Sequence, residues 1–182
     1  MALDTRLTRD PGEVDAICRF RFQVYYHELG ARLPEEVIRS SRLRCDLDDV
    51  AYQYASFQEG QVLGSVRLLD LKDIQNDNAL ISRYSLQEII KEWGRDVIAF
   101  TGRMAVAEKF RKSSLVLRLM AIATDEARHR GMRLAFLDCS PHLLPFYEAC
   151  GFKRYAPLSM IRFSGLNNPC FSCFGIRLVS KR

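Results

Sequence analysis

The sequence predicts an α/β chain, more narrowly an α+β mixed sheet of about seven strands with flanking helices. Three observations carry that reading. AYQYASFQ and QVLGSVRLLD (51–58 and 61–70) are strand-like runs joined by Glu59-Gly60, a turn pair that makes them a hairpin. The strand DVIAFTGRMAVA (96–107) leads through a long helical pattern into a short buried strand, MRLAFLDC (132–139), which is a strand–helix–strand crossover. Helical and strand periods also alternate along the chain, with no repeat or low-complexity tract between them.

The elements follow in order. LDTRLTR (3–9) alternates apolar and polar residues, as a half-buried edge strand does. Asp10 then offers an N-cap, Pro11 fits the first helical position, and Glu13 has the spacing of a capping box. Ile17, Phe20 and Val24 share one face of this helix, which runs to Gly30, and Arg21 borders that apolar face instead of opposing it. Residues 31–48 read as a connection with a short helix. An excursion over 73–94 holds a helix at Leu86–Trp93. After the strand at 96–107, Ser113 or Ser114 starts a helix with an apolar stripe at Leu115, Leu119, Ile122 and Ala123, ended by Gly131. PHLLPFYEAC is a second short helix begun by Pro141, and FKRYAPLSMIRF and CFSCFGIRLVS give two more strands.

Composition narrows the class. The 182 residues, 48% apolar and 27% charged, fit a single globular domain over 1–182. No apolar run approaches the roughly 20 residues of a membrane span, and the first ten residues are charged where a signal peptide is apolar, so a cytoplasmic location is expected. The six cysteines are expected to be reduced thiols. Cys170 and Cys173 form half a zinc site at most, and no metal is expected. The net charge of +5 suits acidic partners, but Lys and Arg are scattered and no nucleic-acid motif accompanies them.

The order of elements, the strand–loop–helix AVAEKFRKSSLVLRLM and the segment FYEACGFKRY (146–155) resemble the GCN5-related N-acetyltransferase (GNAT) superfamily. There the loop reads Arg or Gln, two residues, Gly, one residue, Gly or Ala, and its amides hold the pyrophosphate of coenzyme A. Here Arg111 is present, but Ser114 and Val116 stand at the small positions, where a side chain hinders close approach to phosphate. RFQVYYHELG (21–30), CDLDD (45–49), GSVRLL (64–69) and GRMAV (102–106) narrow the resemblance to the acyl-homoserine-lactone synthases and the related N-acyl amino acid synthases. Arg21, Asp46, Asp49, Arg67 and Arg103 occupy that branch's charged places. Phe100 stands where the lactone synthases have Glu, which argues against a homoserine lactone as the product.

The resemblance implies an N-acyltransferase with no permanently bound cofactor. It would take an acyl-phosphopantetheine donor, acyl carrier protein or acyl-coenzyme A, and a small amine acceptor. Arg111, Lys112, Ser113, Ser114, Leu115 and Val116 would form the donor loop. A backbone N–H within Met104 to Val106 would hold the oxyanion, and Tyr147 would protonate the leaving thiolate. The residues themselves leave alternatives open. Tyr147 is equally a core tyrosine. Arg21, Arg67 and Arg103 with Asp46 and Asp49 are either a structural ion network or a seat for a carboxylate acceptor. His142 is a surface cap, or else a base or acceptor contact. The rival functions are an acetyl-coenzyme A enzyme and a non-catalytic sensor on the same fold.

Overall fold

A computed structural model of the chain describes residues 3–74, 78–154 and 172–177. Cys170 and most of the expected strand FKRYAPLSMIRF lie outside the described residues. The described residues form seven strands: β1 (Asp4–Thr8), β2 (Tyr52–Gln58), β3 (Gln61–Asp70), β4 (Ile98–Val106), β5 (Leu134–Cys139), β6 (Lys153–Arg154) and β7 (Ser172–Arg177). Their α-helices are α1 (Pro11–Phe22), α2 (Glu35–Ser40), α3 (Asn78–Arg83), α4 (Gln87–Trp93), α5 (Leu115–His129) and α6 (Leu144–Ala149).

The chain divides into two compact units. One comprises Met1–Leu68 and Gly102–Glu126; the other comprises Leu69–Thr101 and Ala127–Arg182. In the first, β1, β2, β3 and the C-terminal half of β4 are neighbours in that order. β1 pairs antiparallel with β2, from Asp4 opposite Phe57 to Thr8 opposite Gln53. The β2–β3 hairpin turns on Glu59 and Gly60, both at positive φ (52° and 76°), the backbone a two-residue hairpin loop requires.

α1 begins as its sequence dictates. The Asp10 carboxylate accepts from the Glu13 N–H at 2.9 Å, and Pro11 occupies the first turn. The capping box does not close, however. Glu13 turns to β1 instead, accepting from Arg6 at 2.8 and 2.6 Å and from the Thr8 hydroxyl. A guanidinium fork outcompetes one backbone N–H for a carboxylate. After Phe22 the helix widens into a π-helical segment, Gln23–Glu28, and the Leu29 N–H reaches back to the Val24 carbonyl at 3.0 Å.

α5 packs closely on β3 at Gly64. A Cβ there would lie 2.9 Å from Leu119 Cδ1 and 3.3 Å from Leu115 Cδ2, so a side chain at this position would make the two leucine tips shift. Leu115, Leu119 and Ala123, three of the expected stripe residues, are buried.

In the second unit the N-terminal half of β4 runs parallel to β5, from Ile98 opposite Leu134 to Thr101 opposite Leu137, and β5 pairs antiparallel with β7. α6 ends in a Schellman motif. The Phe152 N–H bonds to the Tyr147 carbonyl at 3.0 Å and the Gly151 N–H to the Glu148 carbonyl at 3.0 Å, with Gly151 at φ 90°. Residues 127–132 end α5 in the same way around Gly131. Among the described residues no helix is long and apolar enough to cross a membrane.

Candidate active site

In the first unit, α1, the turn Asp46–Asp48, β2 and β3 bury one polar cluster. Arg21 is 0% exposed. Its Nη1 donates to Asp48 Oδ1 at 3.1 Å, its Nη2 to Gln53 Oε1 at 2.6 Å and its Nε to Ser65 Oγ at 3.3 Å. Arg67, 4% exposed, sends its Nη1 to the same Asp48 oxygen at 3.1 Å and to Cys45 Sγ at 3.3 Å. Gln53 Nε2 adds a third bond to Asp48 Oδ1 at 3.0 Å, while the Cys45 N–H takes Oδ2 at 2.9 Å.

Buried charges persist only when paired and hydrogen-bonded, and this carboxylate is the hub that pairs both arginines. Burial alone would raise the Asp48 pKa. Arg67 and Arg21 outweigh it and hold the carboxyl well below the ordinary carboxylate range.

The acid that meets the arginines is therefore Asp48, and the expected Asp46 and Asp49 do not. The single turn over Asp46–Asp48 buries Asp48 and leaves Asp46 and Asp49 exposed, and Asp49 pairs with Arg44 at 2.6 Å on the surface. Arg103 is half-buried in β4 and stands at φ 54°, a left-handed backbone that a non-glycine residue adopts only under constraint. Arg103 also places a like charge within reach of Arg21.

β4 continues past Arg103 through Met104, Ala105 and Val106. The Met104 carbonyl accepts the Tyr25 hydroxyl at 3.0 Å, and the Val106 carbonyl accepts Arg111 Nε at 3.1 Å. Arg111 also forms an ion pair with Glu28.

At the start of α5, Ser113 Oγ accepts the Leu115 N–H at 3.2 Å and donates to the Phe110 carbonyl at 2.7 Å. The first helical bond runs from the Arg118 N–H to the Ser114 carbonyl at 2.9 Å. Ser114 is thus the backbone cap, and Ser113 supplies the side-chain acceptor. Lys109, Lys112, Ser113 and Ser114 are exposed, Val116 is half-buried, and Leu115 is in the core.

In the second unit Tyr147 is 6% exposed on α6, edge-on to Phe146 (5.2 Å) and Phe152 (5.5 Å). His142 is exposed in the turn Pro141–Leu143. Phe100, in place of a carboxylate, is 3% exposed and packs against Tyr84 at 4.7 Å. Burial pushes the Cys139 thiol up to about 12, helped by Asp138 and Glu148, which leaves it a poor nucleophile near neutral pH. Cys18, Cys45, Cys139 and Cys150 are free thiols.

A cavity of 550 Å³ in the first unit, between Arg6, Glu13 and the Glu59-Gly60 turn, contains none of the expected site residues. Two of its four carboxylates, Asp4 and Glu13, are bonded to its arginine, Arg6.

Sequence reasoning missed Asp48, Gln53, Ser65 and Tyr25. A signal existed for two of them. Gln53 and Ser65 interrupt strands at buried positions, where a polar side chain must have a partner.

The comparisons with known proteins agree with this architecture. No curated protein matches the chain in sequence. Among solved structures, it is similar to FeeM, an N-acyl amino acid synthase from uncultured soil microbes. The TM-score is 0.73 and the identity 16%, over 97% of this chain and 91% of that one. It is likewise similar to the acyl-homoserine-lactone (AHL) synthase LasI, with TM-score 0.70 and 15% identity over 98% and 91%. An acyl-CoA N-acyltransferase from Pseudomonas aeruginosa gives TM-score 0.65 and 17% identity over 96% and 99%. At such identities these likenesses speak for the fold. The acetyltransferase (GNAT) domain model matches residues 20–121, more than half of the sequence, so the chain belongs to the GNAT family and is an N-acyltransferase.

Proposed function

We propose that this N-acyltransferase forms an amide from an acyl thioester and the amine of a small molecule, an amino acid or a related metabolite. The observation that carries the reading is the left-handed residue inside β4. The backbone turns left-handed at Arg103, and the strand then offers Met104–Val106 as a source of an N–H donor for the thioester oxygen. Tyr147 is assigned the proton for the departing sulfur. A thiol leaving group of pKa about 8.5 needs only modest help, so a tyrosine of pKa about 10 suffices.

The acceptor's carboxylate is assigned to Arg103. Arg21 and Arg67 are too deeply buried to reach a substrate, and with Asp48 they act as the frame beneath it. A planar fork that stays charged suits a carboxylate.

The donor arm is assigned to the start of α5, where Lys109, Lys112 and Ser114 are exposed. Acyl carrier proteins are acidic. Their single phosphodiester asks less of a loop that lacks glycine at Ser114 and Val116 than a free pyrophosphate does. The fold shared with FeeM supports an acyl chain in place of acetyl. The family model, described as an acetyltransferase domain, favours the second reading, an acetyl-coenzyme A enzyme.

Competition between an acyl carrier protein and the matching acyl-coenzyme A, with amino acids as acceptors, separates the two. Preference for the carrier upholds the first reading. Equal or better kinetics with free coenzyme A thioesters, acetyl included, would establish the second.

A further inference from the structure

Two side chains close the carbonyls on one edge of β4, and both trace to the π-helical segment Gln23–Glu28. The Ala107 N–H donates to the Leu63 carbonyl at 2.9 Å, so odd-numbered positions at this end of β4 face β3. The period-two geometry of a strand then turns the N–H and C=O of Met104 and Val106 to the opposite edge. On that edge the Met104 carbonyl takes the Tyr25 hydroxyl at 3.0 Å and the Val106 carbonyl takes Arg111 Nε at 3.1 Å. Glu28, three residues after Tyr25, holds Arg111 in an ion pair.

We propose that this segment is a clamp on β4 and that Tyr25 is a positioning residue for the oxyanion donor, an inference that rests on the acyl-transfer reading of the strand. Each peptide unit is a rigid plane. Tyr25 pins the plane joining Met104 to Ala105, and Arg111 pins the plane joining Val106 to Ala107. The plane between them carries the Val106 N–H, so that donor is held from both sides.

Capping also changes the field along the edge. A carbonyl oxygen on either side of an N–H repels an anion forming there, and a donor on each oxygen offsets part of that repulsion. A preorganised donor is worth more than one that must reorient as charge develops. The strained backbone at Arg103 fits the same scheme, because such a conformation persists only where its surroundings over-determine it. Tyr25 touches no reacting atom in this scheme; it acts through the backbone.

The test compares the 182-residue chain with its Tyr25→Phe variant, which keeps the ring and removes the hydroxyl. Thioester turnover, amide hydrogen exchange and Tm are measured on both. The clamp predicts a fall in kcat of about 10- to 50-fold, with donor KM changed less than about threefold. Exchange should be faster at residues 104–106 and unchanged in the β2–β3 hairpin. Losing one hydrogen bond should lower Tm by only about 2–4 °C. A kcat within about twofold of the parent overturns the proposal. Should the parent turn over no thioester, the acyl-transfer reading fails, and hydrogen exchange still decides the clamp: faster exchange at 104–106 upholds it and unchanged exchange overturns it.

Discussion

The pair Arg21 and Arg67 and the single Arg111 behave oppositely in the structure. Arg21 and Arg67 share Asp48 with side chains 0–5% exposed, and Gln53, Ser65 and Cys45 take up further bonds around them. Arg111 at the head of α5 has one carboxylate partner and one backbone carbonyl, and a third of its side chain is in solvent. Breaking the first set strands a charge without water. The Arg111–Glu28 pair contributes less, because a part-exposed ion pair is worth about 0–1 kcal/mol. Burial, rather than residue type, therefore separates the frame from the loop proposed to take the donor.

The largest effect should come from Arg21→Met, which removes one partner of a buried pair. Urea unfolding should show a loss of about 3–5 kcal/mol. A loss below about 1 kcal/mol would erase the contrast between the two groups. The same cluster makes stability pH-dependent with a definite sign. The Asp48 pKa is lowered on folding from its ordinary 3.8, so its contribution is complete above that value and is lost as pH falls through the folded value. Stability should hold from pH 7 to about 5 and decline below about 4, with Asp48→Asn flattening the acid limb.

Next is Tyr147→Phe, expected to lower kcat about 100-fold with acceptor KM little changed. Its ring contacts with Phe146 and Phe152 survive the substitution, so Tm should move by only a few degrees (about 2–4 °C). Full activity would reduce Tyr147 to its part in the Schellman packing against Phe152.

The smallest effect sharpens the exposed side of the comparison. Lys109→Glu with Lys112→Glu should weaken the carrier-protein reaction about tenfold at low salt, the loss shrinking as salt screens the surface. The unfolding free energy should stay within about 0.5 kcal/mol of the parent. A loss of stability comparable to that of Arg21→Met would place these lysines in the frame as well.

What could be read from the sequence follows the same division. Local chemistry was legible. The Asp10-Pro11 start, the Glu59-Gly60 hairpin and the stop at Gly131 depend on a few neighbouring residues, and each stands where the sequence places it. The choice of Asp48 over Asp46 and Asp49 was not legible, because it turns on which side of one tight turn meets two arginines from distant elements. Glu13 kept its capping-box spacing but spent its carboxylate on Arg6, a residue of the neighbouring strand. The widened turn after Phe22 was equally hidden. Within RFQVYYHELG the structure uses Tyr25 to hold Met104.

The central claim, acyl transfer from thioester to amine, is tested most directly by following free thiol and amide product together in one reaction. The donor is an acyl carrier protein thioester, and the acceptor is an amino acid present or left out. The account predicts thiol release that requires the amine and matches amide one for one, with both falling together in Tyr147→Phe. Thiol release that ignores the amine, or no release above the uncatalysed rate with any acyl thioester, would contradict it.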